Sequence, residues 1–305
     1  MSRRLDPVSG RCEPVFDDPR RHDIQAHVMA PRTEPDGRSS VVTEEDPHGT
    51  LYCLNVYVSD LAQRSWVPPG TVKRLRVLEG IPQKAGETGP LIPRRILGEI
   101  PVEEDGSFSI DVPANTPVEL QILDADGMAL RSCGWIWARN HEPRGCIGCH
   151  EDGELAPENR FAQAMNRPSI PLTLPPRRRR TVDFRRDVVP IIARQCAPCH
   201  DEDGAPPRLD GGLRACQRLL AADAPAAGGG SRRRFVHPGQ ARTSPFVWHL
   251  FGRNTSRPWD ETAGIRLKEG PTPCEARRLS DDDKRTFVEW VDLGALWDTA
   301  AAQGE

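Results

Sequence analysis

Between residues 51 and 130 the apolar positions fall in short runs with a period of two. Phe108, Ile110 and Val112 alternate with polar neighbours, and so do Val118, Leu120 and Ile122. Successive side chains of an extended strand point to opposite faces, so this alternation predicts strands that each bury one face. Val72, Leu75 and Val77 predict another. Asp105-Gly106 and Asp126-Gly127 are turn dipeptides that tolerate positive φ, and Pro68-Pro69-Gly70 and residues 86–93 read as loops. No window here has a helical period. The pattern predicts a small antiparallel β-sandwich over residues 45–138.

Past residue 180 the pattern turns helical. Residues 187–195 predict a short helix that tolerates Pro190 in its first turn. Ser244 followed by Pro245 reads as an N-cap and first helical residue, leading into residues 246–251. Ser280 before three aspartates is an acidic helix start, with Phe287, Trp290 and Val291 on one face and Gly294 as the stop. Residues 139–176 form a separate segment whose end, with Pro168, Pro171, Pro175 and Pro176 before four arginines, reads as a linker. Residues 221–230 are a low-complexity loop. Residues 1–44 lack a sustained apolar period and read as an N-terminal extension or the end of a preceding domain. The fold class expected is α+β and multidomain, with the β-sandwich followed by a mainly α-helical region over residues 177–305.

Composition narrows the function classes. The chain has 305 residues, 37% hydrophobic and 28% charged, enough for two modest domains. A net charge of -3 gives no overall pull toward nucleic acid or an anionic membrane. The arginine runs at 177–180 and 232–234 read as solvated loop charge, or as a patch that steers an acidic redox partner. No run approaches the roughly 18 apolar residues of a membrane span, so no integral membrane segment is expected.

The chemistry lies in a repeated motif. Cys146-Ile147-Gly148-Cys149-His150 and Cys196-Ala197-Pro198-Cys199-His200 both fit the Cys-x-x-Cys-His pattern of covalent heme attachment. Two thiols three positions apart reach the two vinyl groups on one porphyrin edge, and the next residue turns its imidazole under the iron. The pattern predicts two heme c groups, with His150 and His200 as iron ligands and an electron-transfer function with a redox partner protein. A zinc interaction module, with the same four cysteines around one ion, is the structural alternative. Covalent heme points to a periplasmic or other extracytoplasmic compartment, although residues 1–18 show no signal-like apolar run, so either the true start lies upstream or this chain is the tail of a longer exported one. In such a compartment Cys216 could bridge Cys274, and Cys133 could bridge Cys12 or Cys53, with buried thiols as the alternative.

The ligand opposite each iron decides the function. No methionine follows Met165, which leaves His249 and His237 for the second heme; His249, beside Trp248 on the expected short helix, is the better placed. For the first heme, Met165 and His141 are close enough in sequence, and an open face is the third option. An open iron would permit a redox enzyme acting on a small nitrogenous or oxygenated substrate. Glu151, Asp152 and Glu154 read as loop charge or as proton carriers, and Arg144 as a partner for a heme propionate.

Through Gly106-Ser107-Phe108, the Trp135 region and residues 144–151, the sequence resembles the hydrazine synthase alpha subunit family, over roughly residues 45–300. Val182-Asp183-Phe184, Ser244-Pro245 and residues 290–295 are also similar to the cytochrome c domains of planctomycete proteins. The resemblance implies a small β domain followed by a diheme domain, accessory subunits, a bis-histidine electron conduit that suits His200 with His249, and a catalytic heme. It also implies a tyrosine on the catalytic iron just after the motif. This chain departs there: its tyrosines are Tyr52 and Tyr57, and acidic residues follow the motif.

Overall fold

The computed structural model describes residues 2–20, 31, 41–60, 67–81, 92–150, 159, 161–200, 204, 207–210, 212–221, 234–267 and 279–298. It divides into two units, residues 1–40 and 41–305. In the first, β1 (Ser2–Leu5) and β2 (Cys12–Phe16) pair antiparallel around a turn in which Asp6 accepts from the Val8 amide and Gly10 takes a φ of 69°. All of Cys12–Phe16 is exposed, which is why this hairpin left no alternating apolar signature.

The second unit is α+β. One sheet has the order β5-β4-β7-β8, built from β4 (Arg74–Gly80), β5 (Arg94–Pro101), β7 (Val118–Leu123) and β8 (Ala129–Ser132), and every pairing is antiparallel. The other has the order β10-β6-β3-β9, from β3 (His48–Cys53), β6 (Phe108–Pro113), β9 (Pro143–Cys146) and β10 (Ile170–Pro171). Here the structure departs from an all-antiparallel sandwich, because β3 with β9 and β10 with β6 run parallel. Both added strands come from residues 139–176, and Leu172 beside β10 is buried in the sandwich core. The turns form at the Asp-Gly pairs, with φ of 85° at Gly106 and 77° at Gly127.

Leu51, Val77, Ile110, Val112, Val118 and Ile122 fill the space between the sheets. Fully burying each such side chain contributes about 1.5–3 kcal/mol. The outer face of the antiparallel sheet is covered as well. Leu78, Ile96 and Met128 pack into a second core with Phe184, Ile192, Val247, Phe287 and Trp290, so β4 is buried at five consecutive positions.

That second core is made by α1 (Val189–Gln195), α2 (Leu213–Leu220), α3 (Pro245–Phe251) and α4 (Asp281–Asp292). A wide turn at Phe184–Val188 precedes α1, whose start carries Pro190 where a missing amide costs nothing. Ser280 caps α4 by accepting from the Asp283 amide, and Gly294 ends it with a φ of 112°. Ser244 stands at the N-cap position of α3, but its hydroxyl serves the preceding loop instead, accepting from His237 N and donating to Gln240 O. Of the arginine run, Arg179 is buried against Glu79, and Arg180, still half-exposed, pairs with Glu289.

Candidate cofactor site

The two motifs share a pattern but not a backbone. The first follows a strand. Cys146 closes β9 in parallel register with Cys53, and Leu54 N and Asn55 N donate to Cys146 O and Ile147 O. The chain continues alongside residues 58–60: Cys149 N donates to Val58 O and Asp60 N to His150 O. Arg131 ties the two segments by donating to Ser59 Oγ and Cys149 O. Gly148 lies close against Val58, and a Cβ there would collide with the Val58 backbone.

His150 has a φ of 65°, a left-handed conformation that costs a non-glycine residue about 1–3 kcal/mol and persists only where neighbours over-determine it. Its ring Nδ1 lies 2.7 Å from Asp60 Oδ1, and its side chain is 62% exposed. Cys146 and Cys149 are packed against the sandwich core.

The second motif caps a helix. Cys196 follows α1 with its amide on Ile192 O, and Cys199 N and His200 N both donate to Cys196 O. His200 Nδ1 sits 3.1 Å from Pro207 O. His249, on α3, is close enough to His200 to feel its charge. Burial and then that charge hold the His249 imidazole below its ordinary range.

The other expected ligands are placed elsewhere. His237 Nδ1 is held by Thr243 Oγ1 at 3.0 Å. His141 binds Asp46 at 2.9 Å near His48, five residues before Cys53 on β3. At about 3.3 Å per strand residue, that is roughly 16 Å along the strand from the first motif. Met165 lies half-buried in the turn Gln163–Asn166, which rests on the loop of Asp105 and Ser107. Arg144 stacks on Trp137 and donates to its carbonyl. Glu151, Asp152, Glu154 and Cys274 lie outside the described residues.

Three neighbours of the first motif were not anticipated. Asp60 is 90 residues from His150 in the chain, and no local signal marks it. Tyr52, far from the motif in sequence, lies directly over Gly145, where any Cβ would meet its ring. Cys133 lies near both motif cysteines; burial first, then Cys149, Glu119 and Cys146, against the Leu120 amide, push its own thiol up to about 11. Cys12, Cys133 and Cys216 carry free thiols, so Cys133 bridges neither Cys12 nor Cys53.

The residues fit heme c. A metal-ligating histidine characteristically commits its other ring nitrogen to a carboxylate or carbonyl, which fixes its tautomer and orientation. Both motif histidines do so through Nδ1, as histidines that bind an iron through Nε2 would. The four motif cysteines do not fit a shared zinc site. The first pair packs on the sandwich core and Cys196 in the helical core, and no group of three or more metal-binding side chains gathers among the described residues.

A family model described as the hydrazine synthase alpha subunit middle domain matches residues 70–151, which end just past the first motif. Hydrazine synthase subunit alpha of Kuenenia stuttgartiensis is 26% identical, over 85% of this chain and 43% of the relative. The solved structure of Kuenenia stuttgartiensis hydrazine synthase matches with a TM-score of 0.69 and 24% identity, over 84% of this chain and 44% of that chain. The chain therefore spans less than half the length of these relatives, and the structural likeness speaks to the fold. No helix among the described residues is long and apolar enough to cross a membrane.

Proposed function

We propose that this chain, whose resemblance to the hydrazine synthase alpha subunit family is borne out by both sequence comparisons, is a diheme c-type electron-transfer protein. One heme c would be held by Cys146 and Cys149, the other by Cys196 and Cys199. The observation that carries the reading is that each motif histidine already commits its Nδ1, His150 to Asp60 Oδ1 and His200 to Pro207 O, as a heme-ligating histidine does. Bound heme c supplies a one-electron centre. His200 and His249 would both ligate the second iron, which would exclude outside ligands and leave electron transfer as its task. His150 would ligate the first iron. Covalent attachment implies an extracytoplasmic compartment, and the relative's name as a subunit supports partner or accessory subunits for this chain too.

A second reading places redox catalysis at the first heme. Two observations favour it: His150 is mostly exposed, and the relative is named as a hydrazine synthase subunit. A small nitrogenous or oxygenated molecule is the substrate class.

Maturation in a host with c-type heme machinery tests both readings. A pyridine hemochrome assay should find two hemes per chain, falling to one in the Cys196→Ala/Cys199→Ala protein. His249→Ala should convert the second heme from low to high spin. Carbon monoxide binding to the wild-type first heme would favour catalysis over simple electron transfer. A matured chain with no Soret band would sink the proposal.

A further inference from the structure

We infer that Asp60 is a positioning residue that strengthens His150 as an iron donor and lowers the reduction potential of the first heme, setting it apart from the second. The inference rests on the reading of His150 as an axial ligand.

The two motif histidines face different acceptors. His200 Nδ1 meets a neutral carbonyl at 3.1 Å, whereas His150 Nδ1 meets a carboxylate at 2.7 Å. A charge-assisted hydrogen bond is shorter and about twice as strong as a neutral one. An anionic acceptor draws the Nδ1 proton outward and moves electron density toward Nε2, making the imidazole a stronger donor. A stronger donor favours ferric over ferrous iron, so the potential falls. The negative charge close to the iron acts in the same direction.

The arrangement is held from several sides. Asp60 grips His150 twice, its carboxylate on the ring and its amide on the His150 carbonyl at 3.1 Å. Cys149 N on Val58 O and Arg131 on both Ser59 and Cys149 fix the same two segments against each other. The left-handed backbone at His150 is what such a multiple grip can sustain. The Asp60 side chain is 35% exposed, so water weakens the effect without changing its sign.

The test uses the matured full chain. Hemochrome counts come first, because a wild-type chain without heme removes the parent reading and this inference together. Redox potentiometry and resonance Raman spectra are then taken on the wild type, Asp60→Asn and Asp60→Glu. In Asp60→Asn the first heme's potential should shift upward and its ferrous iron–histidine stretch should drop, with the second heme unmoved. Asp60→Glu, which keeps a carboxylate, should stay near the wild type. Equal shifts in both variants would mean a merely structural role and overturn the inference, as would an Asp60→Asn protein that matches the wild type. If Asp60→Asn does not mature, the wild-type stretch decides: a value typical of a carbonyl-bonded histidine overturns it.

Discussion

Two five-residue stretches that obey one pattern differ in what each intervening residue must be. Ala197 and Pro198 sit in a turn after a helix, while Gly148 lies flat against the Val58 backbone. Gly148→Ala must push a chain segment aside, because the nearest atoms it meets are backbone and cannot rotate away. We expect a loss of about 1–3 kcal/mol in urea unfolding, with depressed occupancy of the first heme only; the substitution Ala197→Gly should leave both hemes attached. The motif cysteines and histidines were legible in the sequence because their spacing is a local property. Asp60, Tyr52 and Cys133 were not. Each reaches the first motif through strand pairing or packing, and nothing in their own neighbourhoods distinguishes them from ordinary loop and strand residues.

At the level of elements, α4 is bound to the antiparallel sheet by charge as well as by apolar packing. Arg76, buried on β4, donates to Glu99 at 2.7 Å and lies 3.7 Å from both Glu289 and Asp292 of α4. Asp292 accepts from Ala129 N at 3.0 Å and from Ala241 N at 2.8 Å, joining β8, α4 and the turn before α3. Even when protonated, the Asp292 carboxyl keeps a lone pair on each oxygen for these two amides, whereas asparagine offers one oxygen and turns an N–H donor toward the other. Asp292→Asn should therefore lose about 2 kcal/mol at pH 4. Burial, against the pull of Arg76 and the two amides, pushes the Asp292 carboxyl up from 3.8 to about 6. A carboxyl that binds its proton more tightly when folded favours folding at low pH. That contribution is lost as pH rises from 3.8 to about 6. The stability gap between wild type and Asp292→Asn should thus narrow from pH 4 to pH 7, and a series of urea titrations will show whether it does. The strands at Phe108–Pro113 and Val118–Leu123 and the helix Asp281–Asp292 were legible, because alternation and capping are written in their own residues. Strands β9 and β10 were not, since their short, proline-containing sequences have no alternation and pair only because partners lie beside them.

Across the whole second unit, a single sheet serves two cores, and this is why residues 177–305 are poorly described as independent. Leu78, Ile96 and Met128 complete the helical core from outside, and Ala129 N satisfies Asp292. A chain beginning at residue 177 should lack a cooperative thermal transition by circular dichroism, whereas one beginning at residue 41 should keep it. The α+β class was readable from the change of period along the chain; the shared sheet was not, because only tertiary packing decides what covers its second face. The grip of Asp60 on His150 closes a loop of 90 residues, whereas the cysteine pair and its histidine are near neighbours in the chain. Closing a loop of that length costs entropy that the contact recovers only after both sheets have met. In a chain that matures as proposed, covalent capture of a porphyrin and completion of the iron's surroundings would therefore be separate events in time, and the chain would pass through a stage in which it is already coloured but not yet tuned.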